Sequence, residues 1–102
     1  MPRIPVACTL TADDATGRVD EWRRLVRDHV VERQRDSSTA RLRLRDADDS
    51  FVAAVDLARR EKACCGFFDF RMDVEADAVW LVVGAPPDAQ PLLDDLAGQP
   101  RA

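Results

Sequence analysis

Several things are scarce in this chain of 102 residues, and each scarcity excludes a class of function. No apolar run approaches the roughly 18 residues that span a bilayer, so no transmembrane helix is expected. The N-terminal stretch MPRIPVACTL lacks the apolar h-region of a secretory signal, so a cytoplasmic location is expected, with reduced cysteines. The four glycines are scattered, and none builds a phosphate-cradling loop. His29 is the only histidine, and Ser37, Ser38 and Ser50 fall in cap or loop positions, so no nucleophile–histidine–acid arrangement follows from spacing. His29 itself reads as a satisfied residue at the edge of an apolar stripe. Lys62 is the only lysine, and the net charge of −4 argues against a nucleic-acid binder that relies on bulk electrostatics.

What is present is the balance of an ordinary folded domain: 46% hydrophobic and 33% charged residues. The length suits one domain, residues 1–102, with a modest core and no disulfide framework. IPVACTL alternates well enough for a first strand, with Ile4, Val6, Cys8 and Leu10 on one face. Thr11 then reads as an N-cap, with Asp13 and Asp14 in the first turn of a helix of about five turns. Ala15, Val19, Trp22, Val26 and His29, with Leu25 beside them, form its core stripe. Asp14–Arg18 and Asp20–Arg24 are expected i,i+4 pairs.

VERQRDSS is expected to be a loop. TARLRLR has strict period two and reads as a half-buried strand, Ala40, Leu42 and Leu44 on one side and Arg41, Arg43 and Arg45 on the other. DADDS caps a second helix over residues 51–65, closed by Gly66 at C′. FFDFRMDVE is a strand expected to point Phe68, Phe70, Met72 and Val74 inward. A turn near Ala76–Asp77 leads to AVWLVVGAP, apolar on both faces and therefore central. DAQPLLDDLAG is a short third helix. The expected fold class is α+β: a four-stranded sheet in the order β-α-β-α-β-β-α, with helices packed on one face. The arginine stripe is expected to meet the acidic outer face of residues 69–75 as a cross-strand partner, a solvated surface rather than an anion site.

The stretch REKACCGFFDF carries the chemistry. At 100° per residue, Phe51, Ala54, Leu57, Ala58 and Cys65 share the side of the second helix that faces the sheet. Glu61 falls on that same side, at i−3 to Cys64 and i−4 to Cys65, so the three converge. A carboxylate at the edge of an apolar face is costly unless paired, protonated or liganded. The plain alternative is a Glu61 that caps backbone or meets an arginine such as Arg71. Cys8, on the inward face of the first strand, is sterically available as a third thiol. Three thiolates without a nearby histidine suit a soft ion: Cu(I), Hg(II), As(III) or thiolate-rich zinc. Adjacent cysteines do not match the usual structural zinc spacing, and the negative end of a helix disfavours a thiolate unless a metal supplies charge. Each cysteine taken alone also fits a small buried hydrophobe.

The run Glu61-x-x-Cys64-Cys65-x-Phe67-Phe68-x-Phe70, followed by VWLVVGAPPDAQPLLDDL, resembles a group of short bacterial proteins with a Glu-x-x-Cys-Cys-x-Phe-Phe core. ACTL and the downstream Trp22 are similar to their N-terminal strand and first helix, so the likeness covers most of the chain. Such proteins resemble domains found with heavy-metal-responsive regulators of the mercury-resistance type. The resemblance implies metal or metalloid handling without naming an ion, and points to Cys8, Glu61, Cys64 and Cys65. Gly66 stands where that pattern often has proline or another small residue. The leading expectation is a thiol-based binding protein for a soft metal or metalloid ion, Cys64 and Cys65 as primary ligands, Cys8 as a third, and Glu61 as ligand or proton acceptor. Its partners are then an ion or small molecule, neither nucleic acid nor membrane. An enzyme using Cys65 and Glu61 on an organometallic or small biosynthetic intermediate is the second expectation, and a non-catalytic interaction module the third. A homodimer is compatible with an open polar sheet or an unpaired edge strand.

Overall fold

The computed structural model describes residues 12–64 and 68–97. They form an α+β fold around one four-stranded antiparallel sheet. Helix α1 (Ala12–His29) runs directly into strand β1 (Val30–Arg35), and β2 (Thr39–Leu44) follows through a tight turn. Helix α2 (Asp48–Cys64) then leads to β3 (Asp69–Val74) and β4 (Val79–Gly84). A 3₁₀ turn at Pro87–Ala89 starts the last segment, which ends in helix α3 (Gln90–Ala97). The order across the sheet is β1-β2-β4-β3. The expected first strand, residues 4–10, and the expected stop at Gly66 lie outside the described residues.

The chain thus repeats one unit, helix–strand–strand, with no repeat in its sequence. Each unit makes a local hairpin, and the hairpins join through their inner strands. Arg41 pairs with Val82 and Leu42 with Leu81 across this seam. The strand order is symmetric about this seam, so that in chain order β2 corresponds to β4, β1 to β3 and α1 to α2.

The expected loop VERQRDSS is a correction: its first five residues, with Val30 before them, are an edge strand, β1. It carries no alternating apolar signal because its neighbour is water along most of its length. Val31 is 61% exposed, and Glu32, Arg33 and Gln34 are exposed as well. A bulge between Val30 and Glu32 breaks its register against β2, which blunts the edge against pairing with other chains. Among the described residues the order is therefore α-β-β-α-β-β-α, with one strand more between α1 and α2 than expected.

β2 and β4 behave as their patterns require. Ala40, Leu42 and Leu44 are buried, and Trp80, Leu81, Val82 and Val83 are buried on both faces of the central strand β4. The core gathers Leu42, Leu81 and Val83 with Trp22 and Leu25 of α1, Ala54, Leu57 and Ala58 of α2, and Leu93 of α3. In β3, Phe70 and Met72 pack against this cluster, but Val74, expected inward, is 78% exposed. It is the last residue of an edge strand and has passed the rim of the core.

The arginine stripe does meet the acidic face of residues 69–75 through Arg41 and Glu75, but not by direct cross-strand pairing. β4 lies between β2 and β3, so the acidic residues of β3 are not its direct cross-strand partners. Arg41 instead reaches Glu75 beyond the end of β3 at 3.5 Å, takes Gln34 of β1 as an acceptor at 2.9 Å, and lies over the Trp80 ring at 4.3 Å. Arg43 pairs with Glu32 of β1 at 3.5 Å, and Arg45 with Asp49 at 3.4 Å. Trp80 donates its indole N–H to Glu75 at 3.0 Å, so arginine and glutamate together seal the aromatic surface of the sheet. Asp73 is held by Arg71 within β3 at 2.7 Å, and that hydrogen bond keeps its carboxyl below the ordinary range. On α1, Asp20 pairs with Arg23 at i,i+3 rather than Arg24.

Gly17 interrupts α1 without a packing reason, since an added Cβ would meet nothing within 4 Å. Gly17→Ala is expected to stabilise the protein by roughly 0.5–1 kcal/mol, because alanine loses less backbone freedom in a helix. Urea denaturation checks this: the midpoint rises while the slope is unchanged.

Candidate functional site

α1 and α2 run antiparallel, and two sets of polar contacts fix their alignment. At one end Nδ1 of His29 and Oγ of buried Ser50 share a hydrogen bond of 2.8 Å, so the histidine is satisfied, as expected of an edge residue. The His29 carbonyl also accepts the Arg45 N–H at 2.7 Å, joining the end of α1 to the end of β2. At the other end stands Glu61, the residue singled out by the helical wheel.

Glu61 is only 6% exposed, on the same side as Leu57 and Ala58. Its Oε1 accepts the indole N–H of Trp22 at 2.6 Å, and its Oε2 faces the Arg18 guanidinium at 3.7 Å. Arg71, the partner considered from sequence, pairs with Asp73 instead. A buried indole needs an acceptor and a buried carboxylate needs donors, so each residue removes the other's desolvation cost. Trp22 also stacks on Phe70 of β3, with ring centroids 6.0 Å apart and planes 8° apart, and Phe68 tilts against Phe70 at 5.8 Å. From the adjacent positions, Arg60 donates to Glu21 of α1 at 2.6 Å, and this hydrogen bond raises the guanidinium pKa above its ordinary value against the opposing effect of burial.

The thiols frame this cluster by position in the chain. Cys64 is the last residue of α2, three residues beyond Glu61. Cys65 and Cys8 lie outside the described residues. Among the described residues no group of three histidine, cysteine or acidic side chains is placed to hold a metal.

Two features of this end were missed from sequence. Arg18 faces Glu61 and Glu21, which spacing did not indicate, while the side chain of Asp14, its expected partner, lies outside those described. The Trp22–Glu61 bond was also not foreseen. A signal for it existed: Trp22 and Glu61 both sit on core-facing stripes, and each needs a polar partner there. Comparison with known proteins finds no matching family model, no matching curated protein and no matching solved structure. No helix among the described residues is long and apolar enough to cross a membrane.

Proposed function

We propose that the protein is a cytoplasmic binding protein for a soft metal or metalloid ion, held by the thiolates of Cys64 and Cys65 with Cys8 as third ligand. The observation that carries this is the antiparallel alignment of α1 and α2, with Arg18 and Trp22 of one helix on Glu61 of the other. From the level of that contact, α1 continues about 9 Å from Arg18, or about 15 Å from Trp22, to its start at Ala12, and α2 about 5 Å to Cys64. The start of α1 therefore lies about 5–10 Å beyond the end of α2 at the same end of the pair. Cys8 precedes Ala12 by four residues, a reach of at most about 14 Å. Chain connectivity thus allows all three thiols to meet at one end of the helix pair.

Glu61 enters this proposal as the group that fixes the spacing of the two thiol-bearing ends. Both its oxygens already face donors, so a role as direct ligand or as general base beside Cys65 would require giving one up. In the same reading all three helices cover the face of the sheet that carries Ala40, Leu42, Leu44, Leu81 and Val83. Support for that comes from the shared core of these residues with Trp22, Leu57 and Leu93.

Native mass spectrometry of anaerobically purified protein, with one equivalent each of Zn(II), Cu(I), Hg(II) or As(III), tests the assignment. The expected result is a one-to-one adduct that survives a competing small thiol and disappears in Cys64→Ser and Cys65→Ser. Its affinity rises with pH until the ligand thiols are ionised, because binding releases their protons. Loss of the adduct in Cys8→Ser separates a three-thiol site from a two-thiol site. If no ion yields an adduct that outlasts the competing thiol, the proposal fails.

A further inference from the structure

On the other flank of α2 a groove of about 240 Å³ opens between the helix and the edge strand β3. Ala58, Phe70, Met72 and Leu81 make its floor, and Val55 closes one end. Arg59 and Lys62 stand on its helical rim, with Arg71 on the strand side. Among the described residues the lining therefore holds three cations and no acid, on a chain whose net charge is −4. Arg71 is engaged by Asp73, whereas Arg59 and Lys62 have no acidic partner among the described residues. The apolar strip continues past the groove along α2, where Val55 is 41% and Val52 67% exposed.

We propose that this groove binds a small single-chain carboxylate, its alkyl body on Ala58, Phe70 and Met72 and its charged end between Arg59 and Lys62. Charge selects the occupant. An apolar floor alone would take any hydrophobe, but a rim with cations only stabilises one anionic head and repels a cationic one. Size limits it as well. The groove is smaller than the roughly 300–1,000 Å³ of pockets for drug-sized ligands, so the ligand is a fragment. From Val55 to Lys62 the helix advances about 10 Å, the length of a medium alkyl chain. A ligand of about ten heavy atoms in an open groove binds with Kd on the order of 1 mM. Affinity rises by about two- to fourfold per added methylene until the chain outgrows the floor. The inference is independent of the thiols.

Octanoate is the probe, with octan-1-ol and octylammonium as neutral and cationic controls of the same chain. Titration of isotope-labelled protein followed by NMR should give saturable shifts at Val55, Ala58, Phe70 and Met72. Trp22 fluorescence should change with the same midpoint, because its ring stacks on Phe70. The controls should bind at least about tenfold more weakly. Arg59→Glu combined with Lys62→Glu, both exposed positions, should abolish the octanoate response while the far-ultraviolet dichroism is retained. Lys62→Arg and Cys64→Ser should keep it. Absence of saturation, equal binding of octanol, shifts away from the groove, or an unaltered response in the charge-reversed variant each overturns the proposal.

Discussion

Glu61→Ala is expected to lower the folding free energy by about 3–5 kcal/mol, the range for removing one partner of a buried charged contact. The loss has two sources. The Trp22 indole N–H would be left buried without an acceptor, and the Arg18 guanidinium, 11% exposed, would lose the carboxylate opposite it. Glu61→Gln keeps an oxygen for Trp22 and loses only the charge, so its cost should be smaller, about 1–3 kcal/mol. Urea unfolding of the two variants measures the difference, and the glutamine variant remains informative if the alanine variant does not fold. A double-mutant cycle with Trp22→Phe isolates the contact itself, with an expected coupling of about 1–3 kcal/mol. A coupling near zero would mean that Glu61 is held by Arg18 alone. Under the proposed function this contact sets the start of α1 against the end of α2 at Cys64, so Glu61→Gln should also weaken any ion adduct while replacing no cysteine.

The second large effect is expected at Arg35, the last residue of β1. Its side chain is 3% exposed and ties the edge strand to α3: it meets Asp94 at 3.1 Å and donates to Oε1 of Gln90 at 2.8 Å and to the Gln90 carbonyl at 3.3 Å. It also donates to the Asp36 and Thr39 carbonyls, gathering the hairpin turn under the same guanidinium. Arg35→Ala removes these contacts and leaves Asp94 facing a void. Asp94 is about one-third exposed, so water takes over part of its solvation, and the expected cost is about 2–4 kcal/mol. Nε of Arg35 has no hydrogen-bond acceptor among the described residues, so this buried cation is itself imperfectly satisfied. Replacing the pair together, with Arg35→Met and Asp94→Leu, should therefore recover most of the loss. Thermal unfolding of the three variants checks the order, and amide exchange in α3 shows whether that helix loosens first in Arg35→Ala.

The two helices that frame the site were legible because their apolar positions recur at spacings of three and four and face a real core. The wheel that placed Glu61 among Leu57 and Ala58 was sufficient to mark it as buried. Its partners were less accessible: Trp22 is 39 residues away, and only the packing of α1 on α2 selects it over other donors. β2 and β4 were legible from alternation and from a fully apolar run. β1 was not, for a physical reason. Hydrophobic period reports burial, whereas a strand is defined by backbone pairing, and an edge strand with Glu32, Arg33 and Gln34 in water pairs without burying. The same reason misplaced the partners of the arginine stripe. Sequence patterns mark which face of a strand is polar, but the insertion of β4 between β2 and β3 is set by how two hairpins join.

The joining of those hairpins also bears on how the chain folds. Each helix–strand–strand unit is assembled from near neighbours, whereas the β2–β4 seam closes a loop of about forty residues and so carries most of the closure entropy. The halves are accordingly expected to organise early and the seam late. The seam joins two units of like element order, linked here by the short segment 45–47. Opening that segment would leave β2 of one copy complementary to β4 of another, with the same Arg41–Val82 and Leu42–Leu81 pairs available between chains. Shortening that linker is therefore expected to favour an exchanged dimer over the monomer, which size-exclusion chromatography would detect.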